Sequence, residues 1–130
     1  MKLADYNGEH ALPDAAAALE RIRTVRIGTH GWFRLWHAEE GPALELMVNG
    51  HWAYVYYFPD LIGDHAGFQS VGMAPPDAPA ELDVWQSDAT PAGGFLIDRA
   101  HLVTLEAACT AAEEFFRSRE KPTSVQWMEL

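Results

Sequence analysis

The chain has 130 residues, 48% of them hydrophobic, and a formal net charge of -10. That is the length of one domain with a core large enough to need no disulfide or metal staple, and too apolar to stay disordered. No apolar run reaches membrane-spanning length, and the acidic excess makes nucleic acid and anionic membrane poor direct partners.

Pro13-Asp14 opens a first helix, since proline suits the first turn and an acid there suits the helix dipole. The helix is expected to run to about Arg23, with Leu19, Ile22 and Val25 inward. A meander of strands follows. Gly31–His37 alternates, and Glu39-Glu40-Gly41-Pro42 separates it from a strand over Ala43–Val48. Asn49-Gly50 is a strong hairpin signal. A two-residue turn there pairs Val48 with His51, Leu46 with Ala53 and Leu44 with Val55. Those residues form a core-facing side. The opposite side carries Glu45, Met47, Trp52, Tyr54, Tyr56 and Phe58.

Pro59–Gly67 reads as loop, Phe68–Met73 as a short strand, and the proline-rich Ala74–Ala80 as loop. Leu82–Gln86 is a strand, Pro91–Gly94 a turn, and Phe95–Val103 a further strand. Thr104 caps the last helix, with Glu106 in its first turn and Leu105, Ala108, Cys109, Ala112, Phe115 and Phe116 as its inward stripe. Lys121-Pro122 ends it. A terminal strand over Ser124–Met128 places Trp127 in the core. The sum is a single α+β domain, an antiparallel β-sheet meander packed against two helices.

Motifs for catalysis are missing. The six histidines, His10, His30, His37, His51, His65 and His101, show no zinc-ligand spacing, and Cys109 lies on an apolar helix stripe. No glycine-rich loop opens a helix as a phosphate cradle, and no two acids stand out as an acid/base pair. The expectation is a protein that is not an enzyme and holds no cofactor or metal. A small ligand-binding or scaffold module remains an alternative, as does an enzyme with a site assembled from dispersed His and acids. The single cysteine cannot form an internal disulfide, and Met1–Asp5 has no apolar export segment, so the expected compartment is the cytoplasm.

The charge is placed unevenly. Residues 39–98 hold ten Asp and Glu and no Lys or Arg. One explanation is a solvated surface that keeps the protein soluble. The other is a surface shaped for a basic partner. The aromatic strand His51–Phe58 falls in the same segment, its Trp52, Tyr54 and Tyr56 side either covered as a second buried face or exposed as an anchor surface. On the interface reading the candidate partner-binding residues are Glu45, Trp52, Tyr54, Tyr56, Asp60, Asp64, Glu81, Asp83, Trp85 and Asp88.

Several stretches carry a family resemblance. They are Ala53-Tyr54-Val55-Tyr56-Tyr57, Phe68-Gln69-Ser70-Val71-Gly72, Val103-Thr104 opening a helix that ends Phe115-Phe116, and the closing Lys121-Pro122-Thr123-Ser124-Val125-Gln126-Trp127-Met128-Glu129-Leu130. The chain resembles the first-numbered immunity family of bacterial polymorphic toxin systems. Within it, the chain is similar to the immunity proteins of DNA cytosine deaminase toxins. The resemblance implies a monomer that binds a cognate toxin domain, basic and acting on nucleic acid, and occludes its active site.

Overall fold

The computed structural model describes residues 1–60, 65–87 and 94–130. Among these the chain forms a large antiparallel sheet, two helices on one of its faces and a separate β-hairpin on the other. In chain order the elements are β1 (Lys2–Asp5), β2 (Gly8–Ala11), α1 (Ala15–Thr24), β3 (His30–Trp36), β4 (Ala43–Asn49) and β5 (Trp52–Phe58). Then follow β6 (Phe68–Ser70), β7 (Glu81–Trp85), β8 (Gly94–Asp98), β9 (Leu102–Thr104), α2 (Leu105–Ser118) and β10 (Trp127–Glu129). The main sheet runs β10-β6-β5-β4-β3-β1-β2, and β9 also pairs with β5. The α+β expectation holds, and the fold adds layers that the sequence reading lacked.

The helices form where their caps allow. Asp14 is the N-cap of α1, accepting from the Ala17 N–H at 2.9 Å, and Thr104 caps α2 through Ala107 at 3.1 Å. Helix α2 stops at Arg119, which takes a left-handed φ of 62° three residues before Pro122. Its stripe of Ala108, Cys109, Ala112 and Phe115 packs on Phe33, Leu35, Leu44, Leu46, Val48, Val55 and Tyr57. Leu105 and Phe116 are only partly buried, and so is Trp127, whose indole N–H donates to the Pro122 carbonyl at 2.7 Å. Trp127 therefore seals the edge of the core and is not its centre.

Four expectations need correction. First, β1 and β2 form an unforeseen N-terminal hairpin through Tyr6-Asn7, with Asp5 opposite Gly8. Second, the β4–β5 register is two residues off the expected one: Asn49 faces Trp52, Val48 faces Ala53, Leu46 faces Val55 and Leu44 faces Tyr57. Gly50 and His51 are the turn residues, and only Gly50 has positive φ, at 63°. A type I′ turn with both Asn and Gly at its centre would need two positive φ values, so the glycine moves to the first central position. The two-residue shift preserves which side chains share a face. Third, residues 95–103 are not one strand. The Asp98 carboxylate accepts from Ala100 at 2.8 Å and caps a 3-10 turn at Arg99–His101, which sends the chain from β8 in the small hairpin to β9 in the main sheet. Fourth, β6 is shorter than Phe68–Met73 and β10 than Ser124–Met128. The expected turn at Pro91–Gly94 falls, up to residue 93, outside the described residues, as does part of the Pro59–Gly67 loop.

The antiparallel registers place four rows of side chains across the second face of the sheet. His30, Asn49, Trp52 and Thr104 form one row, followed by Trp32, Met47, Tyr54 and Leu102. Ala4, Arg34, Glu45, Tyr56 and Gln69 come next, then Lys2, Trp36, Ala43 and Phe58. Leu82, Val84 and Ile97 of the β7–β8 hairpin bury this face as a second apolar cluster with Trp32, Met47 and Tyr54.

Candidate functional site

The β7–β8 hairpin is held by a polar clasp at the His30 row. The Trp85 ring stacks on His30 with centroids 3.8 Å apart and planes 6° from parallel. Asp83 Oδ2 lies 3.3 Å from His30 Nε2 and accepts from the Trp85 indole N–H at 3.1 Å. The Asn49 side chain donates to the Asp83 carbonyl at 2.8 Å, and Tyr6 Oη donates to the Trp85 carbonyl at 3.0 Å. Two of the expected contact residues thus also fix the hairpin to the sheet.

With Leu82 and Val84 turned inward, alternation puts Glu81, Asp83 and Trp85 on the other side of the strand, where Glu81 and Asp83 are exposed while the half-buried Trp85 ring folds back onto His30. Across the ladder these face Asp98, Leu96 and Gly94. Leu96 is 62% exposed, an apolar centre among acids. Glu81 lies directly opposite Asp98, and among the described residues neither has a basic partner. Like charges opposite one another weaken a strand pair. The hairpin therefore carries its acids at some expense in stability.

The other expected contact residues are spread over the sheet. Trp52 is half-buried in the His30 row and lines an open groove of about 550 Å³ with His51, Asp77, Thr104, Leu105 and Glu106. Tyr54 is only 5% exposed, and its hydroxyl donates to Gln69 at 2.8 Å. Burial, with Tyr56 and Glu45 nearby, drives its phenol far above the ordinary value. Glu45 is half-buried and accepts from the Trp32 indole at 3.1 Å. Burial raises its carboxyl pKa, against the opposing pull of that hydrogen bond and of Arg34. Tyr56 is half-buried, packs against Phe58 with ring centroids 4.5 Å apart and planes tilted by 38°, and donates to the Ala66 carbonyl. Asp60 is exposed beyond the end of β5. Asp64 and Asp88 lie outside the described residues.

Trp52, Glu81, Asp83 and Trp85 thus gather near the hairpin, while Glu45, Tyr56 and Asp60 lie toward the far end of β5. Leu96, Asp98 and Asp77 were missed. The alternation of residues 94–98 is visible in the sequence, but its outward face follows only from the pairing with β7. Among the described residues no three His, Cys, Asp or Glu side chains converge as metal ligands. Cys109 is buried on α2, and burial raises its thiol pKa. Among the described residues, no helix is long and apolar enough to cross a membrane.

Residues 13–129 match the sequence model of the family described as Immunity protein Imm1. The chain belongs to the Imm1 immunity protein family. The match runs from the start of α1 to β10 and so includes both helices, the strands β3 to β6 and the acidic β7–β8 hairpin. The N-terminal β1–β2 hairpin precedes it. Membership in Imm1 gives the chain the work of an immunity protein, which is to bind and neutralise a cognate toxin. Comparison with curated proteins gave no match.

Proposed function

We propose that this Imm1 protein occludes the active site of a toxin that acts on nucleic acid, a DNA cytosine deaminase on the resemblance drawn from its sequence, and that it does so by binding, without catalysis of its own. The observation that carries this reading is the outward face of the β7–β8 hairpin, where Glu81, Asp83 and Asp98 surround the exposed Leu96 beside Trp85. Interfaces combine an apolar or aromatic centre with a charged rim, and this one is acidic. A toxin working on nucleic acid presents a positive surface around its cleft. A deaminase also draws its target base into a narrow pocket, which a docked protein closes to substrate. The acids speed encounter and the apolar centre slows release.

The test mixes the purified chain with the toxin domain it protects against and measures cytosine deamination in single-stranded DNA. Inhibition complete at one chain per toxin is expected. A cognate toxin of another chemistry would overturn the deaminase assignment. Full toxin activity with the chain in excess would overturn the occlusion reading and favour a scaffold or ligand-binding module.

A further inference from the structure

The groove beside Trp52 lies next to the hairpin clasp. Asn49, the cross-strand neighbour of Trp52, is the residue that holds the Asp83 carbonyl. The apolar lining of the groove is the half-buried Trp52 and the half-buried Leu105. Its charged lining residues are Asp77 and Glu106, both exposed, and among the described residues no Lys or Arg lines it. Among the described residues Glu106 forms one ion pair, with Arg23 at 3.6 Å across open surface, a contact worth little. The start of α2 borders the groove, but two of its first three donors are taken. The Leu105 N–H reaches the His51 carbonyl at 2.8 Å, and Ala107 reaches Thr104 Oγ1. The carboxylates therefore set the sign of the groove.

From this geometry we infer that the Trp52 groove receives a lysine or arginine side chain, supplied by the toxin. An indole and carboxylates lining one groove are the two elements that bind an ammonium or guanidinium group, through cation–π attraction and charge-assisted hydrogen bonds. The long apolar stem of such a side chain lies along Trp52 and Leu105, with its head at Asp77 and Glu106. A second recess, of about 240 Å³ over Trp32 and Trp36, has Glu9 and Glu39 in its lining but also Arg34. A cation there meets a like charge, so the Trp52 groove is the better receptor. The inference rests on the toxin-binding reading above and adds the chemistry of one contact.

The groove is tested first without the toxin. The full chain is titrated by NMR with the N-acetyl methylamides of lysine, arginine and norleucine, following the Trp52 indole N–H and the His51 and Leu105 amides. Saturable shifts are expected with lysine and arginine and not with norleucine, and they are expected to be lost in Asp77→Asn/Glu106→Gln and kept in Glu9→Gln. No shifts, or equal shifts with norleucine, would overturn the inference. The second arm measures toxin release. Loss of one charge-assisted contact in Asp77→Asn/Glu106→Gln is expected to speed dissociation by about tenfold. Unchanged dissociation, with the unaltered chain still inhibiting, overturns the groove contact and leaves the toxin-binding reading intact. Failure of the unaltered chain to bind the toxin overturns that reading and the toxin as donor, even if the lysine shifts remain.

Discussion

Asp5 and Glu45 sit on opposite faces of one sheet, and burial acts on both to favour the uncharged acid. On the helix face, burial of Asp5 is outweighed by hydrogen bonds from Arg21 at 2.7 Å, the Asn7 backbone and His10, with the charge of Arg21 added. Its pKa ends below the ordinary value. On the hairpin face Glu45 has one indole hydrogen bond and the field of Arg34, and burial prevails. The contrast separates two kinds of surface. The helix face is closed and satisfies the charge it buries. The other face of the sheet holds a poorly compensated carboxylate, and the hairpin packed on that face carries an exposed leucine and opposed acids on its own outer side, features that suit binding better than stability.

The largest expected effect tests the closed face. Phe115 is fully buried between α2 and the sheet, and Phe115→Ala is expected to cost about 3–5 kcal/mol in denaturant unfolding. A loss under about 1 kcal/mol would mean that this face repacks freely, against the usual cost of a large core deletion. On the other face Leu82→Ala is expected to cost less, about 2–3 kcal/mol, because it empties a smaller cluster. Hydrogen exchange in that variant is expected to rise in β7 and β8 before it rises in β3 and β4. Uniform acceleration would show that the hairpin and the helix-covered core open as one unit.

The two carboxylates predict opposite pH effects. Asp5→Asn is expected to lose about 1.5–2 kcal/mol at neutral pH, the worth of hydrogen bonds to a charged group. Because the folded pKa is lowered, this stabilisation is present above the unfolded value near 3.9 and fades as pH falls through the folded one. Glu45 has a raised pKa, so its contribution is present below the unfolded value near 4.3 and is lost as pH rises through the folded one. Glu45→Gln keeps the oxygen that accepts from Trp32 and is expected to raise the melting temperature slightly at neutral pH, with the gain vanishing on acidification. Melting curves across pH for both variants check the signs, and a Glu45→Gln variant less stable at neutral pH would remove the contrast.

The elements of the helix face were legible because each rests on local signals: Asp14 and Thr104 as caps, the α2 stripe and the alternation of β4 and β5. The N-terminal hairpin was also signalled, by Asn7-Gly8, with Gly8 at φ 108°, and was passed over because four-residue strands give little periodicity. What sequence could not give was nonlocal. Nothing in residues 95–103 states that β8 pairs with β7 and β9 with β5, so the outward Leu96 and Asp98 were invisible until the pairing was known. The burial of Tyr54 likewise depends on a hairpin that arrives from residues 81–98. The acidic bias of residues 39–98 took in Glu81 and Asp83 along with eight other acids, but it could not rank acids by the surface they share.

The central claim, that the open, acidic hairpin face meets the toxin, is tested most directly by association kinetics. Glu81→Lys on the hairpin and Asp77→Lys in the groove beside it change exposed acids that make no ion pair among the described residues. The measurement is the rate of association of the double variant with the toxin domain across ionic strength, with circular dichroism to show the fold retained. The account predicts slower association at low salt and a flatter dependence on salt, since steering by opposite charge is what salt screens. An unchanged rate with an unchanged salt dependence would contradict it and leave these acids the task of keeping the protein soluble.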